Sequence, residues 1–268
     1  MILDTAIMIQ EHRLRALLSE GLQLARERNQ SVLVSAVLRA PQHDPLAFFD
    51  QGGRLADERV FWSTPGGDLT FAGVDTAWSV TAEGRARFAD AAAAWEQLCA
   101  GALIDDPFGI IGTGPILMGG FSFDPVRPTT ELWAGFPDGL LLLPRYVLTC
   151  ADGANWLTLN MVVTPESTLA AETEVALRLY DLFDVTGDLS AAPSGSIRQG
   201  EDVPAAETWQ AIVREVEQQL RSGGELGKVV LARQYRVQGR TIFNPARVLA
   251  RLRTQYSDCF LFAVARGQ

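Results

Sequence analysis

One lysine stands where this chain could do chemistry. Gly223-Gly224-Glu225-Leu226-Gly227-Lys228-Val229-Val230-Leu231-Ala232-Arg233 is a glycine-rich turn running into a β-branched stretch, with Lys228 at its mouth. An amine seated among apolar strand residues is partly desolvated, which disfavours its charged form. A neutral amine is a competent general base near neutral pH. The same spacing also fits a strand-end lysine with its ammonium in water, the commoner fate of lysines. In a strand over 228–237, Lys228, Val230, Ala232, Gln234 and Arg236 share one face. Val229, Leu231, Arg233, Tyr235 and Val237 share the other.

The elements around this stretch follow from periodicity. Upstream, residues 208–223 form a helix whose Trp209, Ile212, Val213, Val216 and Leu220 make one apolar stripe, closed by Gly223-Gly224. Downstream, Asn244-Pro245 caps a helix carrying Val248, Leu249, Leu252 and Tyr256, and the apolar run 259–264 reads as a central, buried strand. Earlier, a helix over 6–28 presents Leu14, Leu17, Leu18 and Leu22 on one face, followed by a strand at 31–38. Thr64-Pro65-Gly66-Gly67-Asp68 turns a hairpin between 60–63 and 69–74. A helix over 83–100 places Phe88, Ala92, Trp95 and Cys99 inward as core. The run 114–125 reads as a buried strand whose glycines admit another backbone. The rival reading as a phosphate loop lacks the GxxxxGK[ST] pattern and a following helix. Strands at 140–148 and 156–163 pair across Asp152-Gly153-Ala154-Asn155. Thr164-Pro165-Glu166 opens a helix to about 183, with Leu169, Ala176, Leu179, Tyr180 and Phe183 inward. Small and polar residues over 186–207 read as a connector between an N-terminal region, 1–185, and a second segment, 208–268. Strand runs joined by hairpin turns, with helices on their faces, make the fold class α+β.

Bulk properties narrow the function. A chain of 268 residues can bury a sizeable core. A net charge of −9 argues against nucleic acid, whose phosphates require Lys and Arg. Cys99, Cys150 and Cys259 are odd in number, far apart and outside any CxxC pair, which predicts reduced structural cysteines in a cytoplasmic protein rather than a zinc site or disulfide framework. The N-terminus has no basic signal-peptide region, and no apolar run reaches the roughly 20 residues of a membrane span.

The segment 225–233 resembles the isochorismate synthase signature of the chorismate-utilising enzymes, and the helix at 208–223 is similar to the one that opens their chorismate-binding region. Gly119-Gly120-Phe121-Ser122-Phe123-Asp124, Trp133, Phe136 and Leu141-Leu142-Leu143-Pro144-Arg145 resemble that family's N-terminal half. The resemblance implies a layered sandwich of large antiparallel sheets with chorismate as substrate. It implies water addition at C2 with loss of the C4 hydroxyl, and Mg2+ on the substrate carboxylate. Lys228 is then the water-activating base. The general-acid glutamate and the metal carboxylates belong to a later half that this sequence does not include, so no metal or cofactor ligand is assigned here. Glu225 is read as shaping the turn. Anthranilate and aminodeoxychorismate synthases use ammonia and typically carry glutamine at the lysine position. Salicylate synthases share the lysine and go on to eliminate pyruvate. Leu17-Leu18-Ser19-Glu20 superficially resembles a tryptophan-sensing motif and is read as core leucines. The resulting expectation is an isochorismate synthase of menaquinone or siderophore biosynthesis, monomeric when complete. This chain alone is expected neither to bind Mg2+ tightly nor to turn over chorismate, and to self-associate through its terminal strand. The alternatives are a non-catalytic fragment or subunit that needs a partner chain, or a chorismate enzyme like the salicylate or anthranilate synthases.

Overall fold

The computed structural model describes residues 2–124, 126, 133–183, 197–223, 227–240 and 242–267, with side chains from residue 11 onward except 197 and 198. The elements run α1 (Ile2–Arg28), β1 (Val32–Ala40), α2 (Pro45–Gly52), β2 (Arg59–Ser63), β3 (Leu69–Ala82), α3 (Arg87–Cys99), β4 (Leu103–Asp105) and β5 (Met118–Phe121). They continue through β6 (Gly139–Ala151), β7 (Ala154–Val163), α4 (Leu169–Leu177), β8 (Ile197–Val203), α5 (Ala206–Arg221), β9 (Gln234–Gly239), α6 (Pro245–Gln255) and β10 (Leu261–Ala265).

Hairpins build the sheet. β6 and β7 are joined through Asp152 and Gly153, both at positive φ (52° and 71°), which suits a tight two-residue turn. The expected β2–β3 hairpin forms around Gly66, also at positive φ. The eight-stranded sheet has the order β10-β2-β3-β6-β7-β1-β4, with β5 pairing β6. All pairings in it are antiparallel except β1 with β4, so the α+β class holds. β8 and β9 form a separate antiparallel ribbon. Pro144 lies inside β6, where a missing N–H would break the ladder. The register with β3 shifts there, between Thr76 and Trp78, and absorbs it.

Alternation then decides the core. Val34 and Ala36 of β1, Leu159 and Met161 of β7, Tyr146 and Leu148 of β6, Val74 of β3 and Phe61 of β2 share one face. Leu14, Leu18 and Leu22 of α1, Phe48 and Phe49 of α2, Ala176 of α4 and Leu249 of α6 cover it. The opposite face is more polar. Ser35 donates to Asn160 (2.8 Å), and Asn160 donates to the Pro144 carbonyl (2.8 Å). Over that face folds the loop between β4 and β5. The Gly114 N–H donates to Thr158 Oγ1, and Thr149 Oγ1 donates to the Gly112 carbonyl (2.7 Å).

Several expectations are corrected. In α3 the inward residues are Arg87 and Ala91, while Phe88 is 55% exposed, so the buried stripe is rotated by about one residue. β5 is not buried, although Gly119 does admit a backbone: a Cβ there would lie 2.0 Å from the Leu140 carbonyl oxygen. α4 starts at Leu169 rather than at Pro165, because Thr168 caps it by accepting from the Ala171 N–H. Leu169 and Tyr180 are exposed, and Leu182 is buried in their place. In α6, Ala246 and Leu249 are buried, whereas Val248 and Tyr256 are exposed. Within the expected connector, 197–203 form β8, and 184–196 lie outside the described residues. β10, expected to lack its far-side neighbour in this sequence, lies at the edge of the described sheet.

Candidate active-site segment

The lysine stretch begins where α5 ends. Gly223 takes φ +74°, the left-handed geometry that closes helices. Residues 224–226, with Glu225 and Leu226, lie outside the described residues. Residues 227–233 have no strand pairing, and β9 starts only at Gln234, so the expected strand over 228–237 is shortened by six residues. Lys228 is exposed rather than enclosed by apolar strand, and Val230 is 80% exposed. A β-branched run holds extended geometry through ladder partners and burial, and here it has neither.

The far end of the segment is anchored. Arg233 pairs with Asp202 of β8 at 3.2 Å, and its guanidinium lies 6.0 Å from the Trp209 ring of α5. The ribbon register sets Asp202 opposite Tyr235 and Glu201 opposite Arg236. Gly200 leaves room for the Tyr235 ring, since a Cβ there would meet the phenol oxygen at 2.0 Å. Helix, segment and ribbon therefore hold Lys228 on a tethered arm. By itself this arm offers an amine in water and, among the described residues, no oriented second group.

Sequence reasoning gave no site role to the other polar groups. At the β3 irregularity Arg145 donates to Asp75 (2.6 Å), and Asp75 sits at positive φ (58°). Nearby, Arg266 donates to Glu58 (3.2 Å) and to the Gly135 carbonyl (2.8 Å), and Glu58 also accepts from Thr76. These pairs tie β2, β3, β6 and the residue after β10 together. Asp106 accepts from Thr113 (2.7 Å) and from the Phe108 and Gly109 N–H groups. Burial acts to raise its carboxyl, and those hydrogen bonds outweigh it, holding it below the usual carboxylate range. Burial, with a smaller push from the Asp44 charge, drives the Cys150 thiol up to about 12, so it is no nucleophile at neutral pH. The Gly114–Phe121 stretch spends its backbone groups on Thr158 and β6, as structure rather than as a phosphate cradle. Among the described residues, no three His, Cys, Asp or Glu side chains converge as a metal site.

Residues 20–268 match the family of chorismate-binding enzymes. The chain belongs to that family. The Pseudomonas aeruginosa salicylate biosynthesis isochorismate synthase is 29% identical over 260 residues, which make up 96% of this chain and 52% of that protein. The Bacillus subtilis isochorismate synthase MenF is 26% identical over 253 residues, which make up 91% of this chain and 52% of that protein. The solved structure of MenF, the menaquinone-specific isochorismate synthase of Escherichia coli, superposes with a TM-score of 0.61 at 19% identity. It covers 94% of this chain and 53% of that one, and supports the fold. The chain thus spans about half the length of the curated relatives it matches.

Proposed function

We propose that the chain is the lysine-bearing half of an isochorismate synthase, converting chorismate to isochorismate by water addition at C2 and loss of the C4 hydroxyl. One observation carries this: two isochorismate synthases align along nearly the whole chain, which presents Lys228 within the family's signature stretch. In the reaction the neutral Lys228 amine takes a proton from the attacking water as its oxygen bonds to C2. The ring double bonds shift, and the C4 oxygen leaves as water after accepting a proton. The balance is one water in and one water out. No described residue is assigned as the acid, and no step is routed through Mg2+.

An enclosed amine is the requirement of this chemistry, because an ammonium in water holds its proton. The exposed Lys228 arm therefore supports inactivity of the chain on its own and activity once further polypeptide closes over it. The setting is menaquinone or salicylate-type siderophore biosynthesis in the cytoplasm. No described helix is long and apolar enough to cross a membrane.

The test is product analysis by chromatography with chorismate and Mg2+. This chain alone gives no isochorismate. A single polypeptide joining it to the unmatched half of the Bacillus subtilis relative gives isochorismate without pyruvate, and Lys228→Ala in that fusion lowers turnover at least a hundredfold. Pyruvate with salicylate would reassign the chain to the salicylate synthases. Turnover that persists in Lys228→Ala would remove the lysine from the mechanism.

A further inference from the structure

Lys228 is the only lysine among the 23 lysines and arginines of the chain. The arm that carries it is held at two ends. It leaves the end of α5 at Gly223 and enters β9 after Arg233, so Lys228 stands five residues from each. Between Trp209 and Gly223 the helix advances about 20 Å, whereas ten extended residues reach about 35 Å at most. The tether is therefore slack, and its length alone does not place the amine. Direction has to come from an anchor.

The ribbon shows which residue supplies it. Asp202 of β8 stands opposite Tyr235 of β9, and Arg233, two residues before Tyr235, is its diagonal neighbour on the same face. Tyr235 leans the other way, over Gly200, where a Cβ would meet the phenol oxygen at 2.0 Å. Gly200 thus makes room for the ring and leaves the Asp202 carboxylate to Arg233, which it meets at 3.2 Å. Residues 227–233 have no strand partner, so this ion pair is the nearest anchor to Lys228 on that side among the described residues. Both side chains are about one-third exposed, a setting in which ion pairs add little stability. What the pair does fix is the direction in which the arm departs from the ribbon.

We propose that Arg233 is the positioning residue of the lysine arm: held by Asp202, it aims residues 227–232 so that the Lys228 amine enters the reaction site, without itself touching substrate. This rests on the reading of Lys228 as the water-activating base. A general base works only at the right distance and angle, and a misplacement of about 1 Å costs on the order of a hundredfold.

With one lysine, the chain alone is cut by a lysine-specific endoprotease at one place, after Lys228, and the rate reports how freely the arm moves. Arg233→Ala and Asp202→Ala each raise that rate at least fivefold, and the double variant raises it no further. The swap of Asp202→Arg with Arg233→Asp returns it to within twofold of the native rate. Arg236→Ala, on the same ribbon but outside the pair, leaves it as it is. Amide protection in β1 and β7 stays equal in all variants, which separates loosening of the arm from unfolding. In the fusion to the unmatched half of the Bacillus subtilis relative, Arg233→Ala lowers kcat at least tenfold with KM within twofold. It also moves the acid limb of kcat to higher pH, because a less enclosed amine holds its proton. The swap restores both. An unchanged cleavage rate in Arg233→Ala, or an equal gain in Arg236→Ala, overturns the proposal. So does a loss of kcat with no shift of the acid limb and no rescue by the swap. A fusion that forms no isochorismate overturns the reading of Lys228 instead, and the cleavage rates alone then decide whether the pair directs the arm.

Discussion

His43 lies edge-on to Phe48 (6.4 Å) and Phe183 (5.1 Å), and its Nε2 is buried without a hydrogen-bond partner. Burial holds this imidazole below its ordinary value, against the smaller upward pull of Asp44. Asp44 accepts from both guanidinium nitrogens of Arg253 at 2.9 Å and from the Leu46 N–H. Its own burial acts to raise the carboxyl, but those bonds and the Arg253 charge outweigh it and hold it low. Both folded values are depressed, so the folded state binds fewer protons than the unfolded chain and acid destabilises it. The His43 contribution is intact above the unfolded value of about 6.5 and is lost as pH falls from there toward the folded value. The Asp44 contribution persists to about 4 and is lost below it as pH falls through the folded value. The urea midpoint of the native chain should fall between pH 7.5 and 5.5, and His43→Phe, which keeps the ring packing, should remove that fall. An unchanged native midpoint, or a fall that persists in His43→Phe, would refute the assignment.

Helix ends give the clearest element-scale test. Asn244 accepts from the Arg247 N–H at 3.0 Å, capping α6, and donates to Asp50 at 2.8 Å. Asn244→Ala removes both, and should cost about 1–2 kcal/mol in denaturant unfolding. Thr168→Ala, which loses only a cap bond at 3.3 Å, should cost less. That α6 cap was legible in the sequence because cap and proline act locally. Helix faces were less so. In α3 the large rings at Phe88 and Trp95 drew the predicted stripe, yet the buried position went to Arg87, which reaches the Gly84 and Ser122 carbonyls (2.9 and 3.1 Å). Its methylenes and a ring contact at 4.4 Å leave Phe88 on the rim. The lysine strand failed for a different reason. Val229-Val230-Leu231 has strand propensity, but that preference reports packing against neighbours, and along the described chain no strand pairs with it. The apolar run at β10 was read as a strand without its far-side neighbour in this sequence, and it stands at the edge of the described sheet.

At the scale of the molecule, stability is unevenly distributed. The antiparallel α+β class and the β6–β7 pairing were legible because alternation and turn residues encode them, and those strands form the best-buried part of the chain. The α5 helix was legible as an element, whereas β8 lies in the expected connector and the Lys228 arm in an expected strand, and nothing local in their sequence states how weakly they are covered. α5 buries no residue, and Arg233 links the arm to Asp202 of the ribbon and reaches Trp209 only across 6.0 Å. Local opening follows buried apolar contact, so α5 should open far more readily than the sheet. Native-state amide exchange should place β1, β6 and β7 at the global unfolding free energy and α5 well below it. Leu148→Ala tests the separation. Leu148 is fully buried at the centre of β6, and its truncation should cost about 2–5 kcal/mol of global stability. Protection in β6 and β7 should fall by that amount, while α5 amides, which exchange through their own opening, keep their rates. A fall of equal size in α5 would show that helix and sheet unfold as one unit, and that the arm carrying Lys228 is held more firmly than its exposure implies.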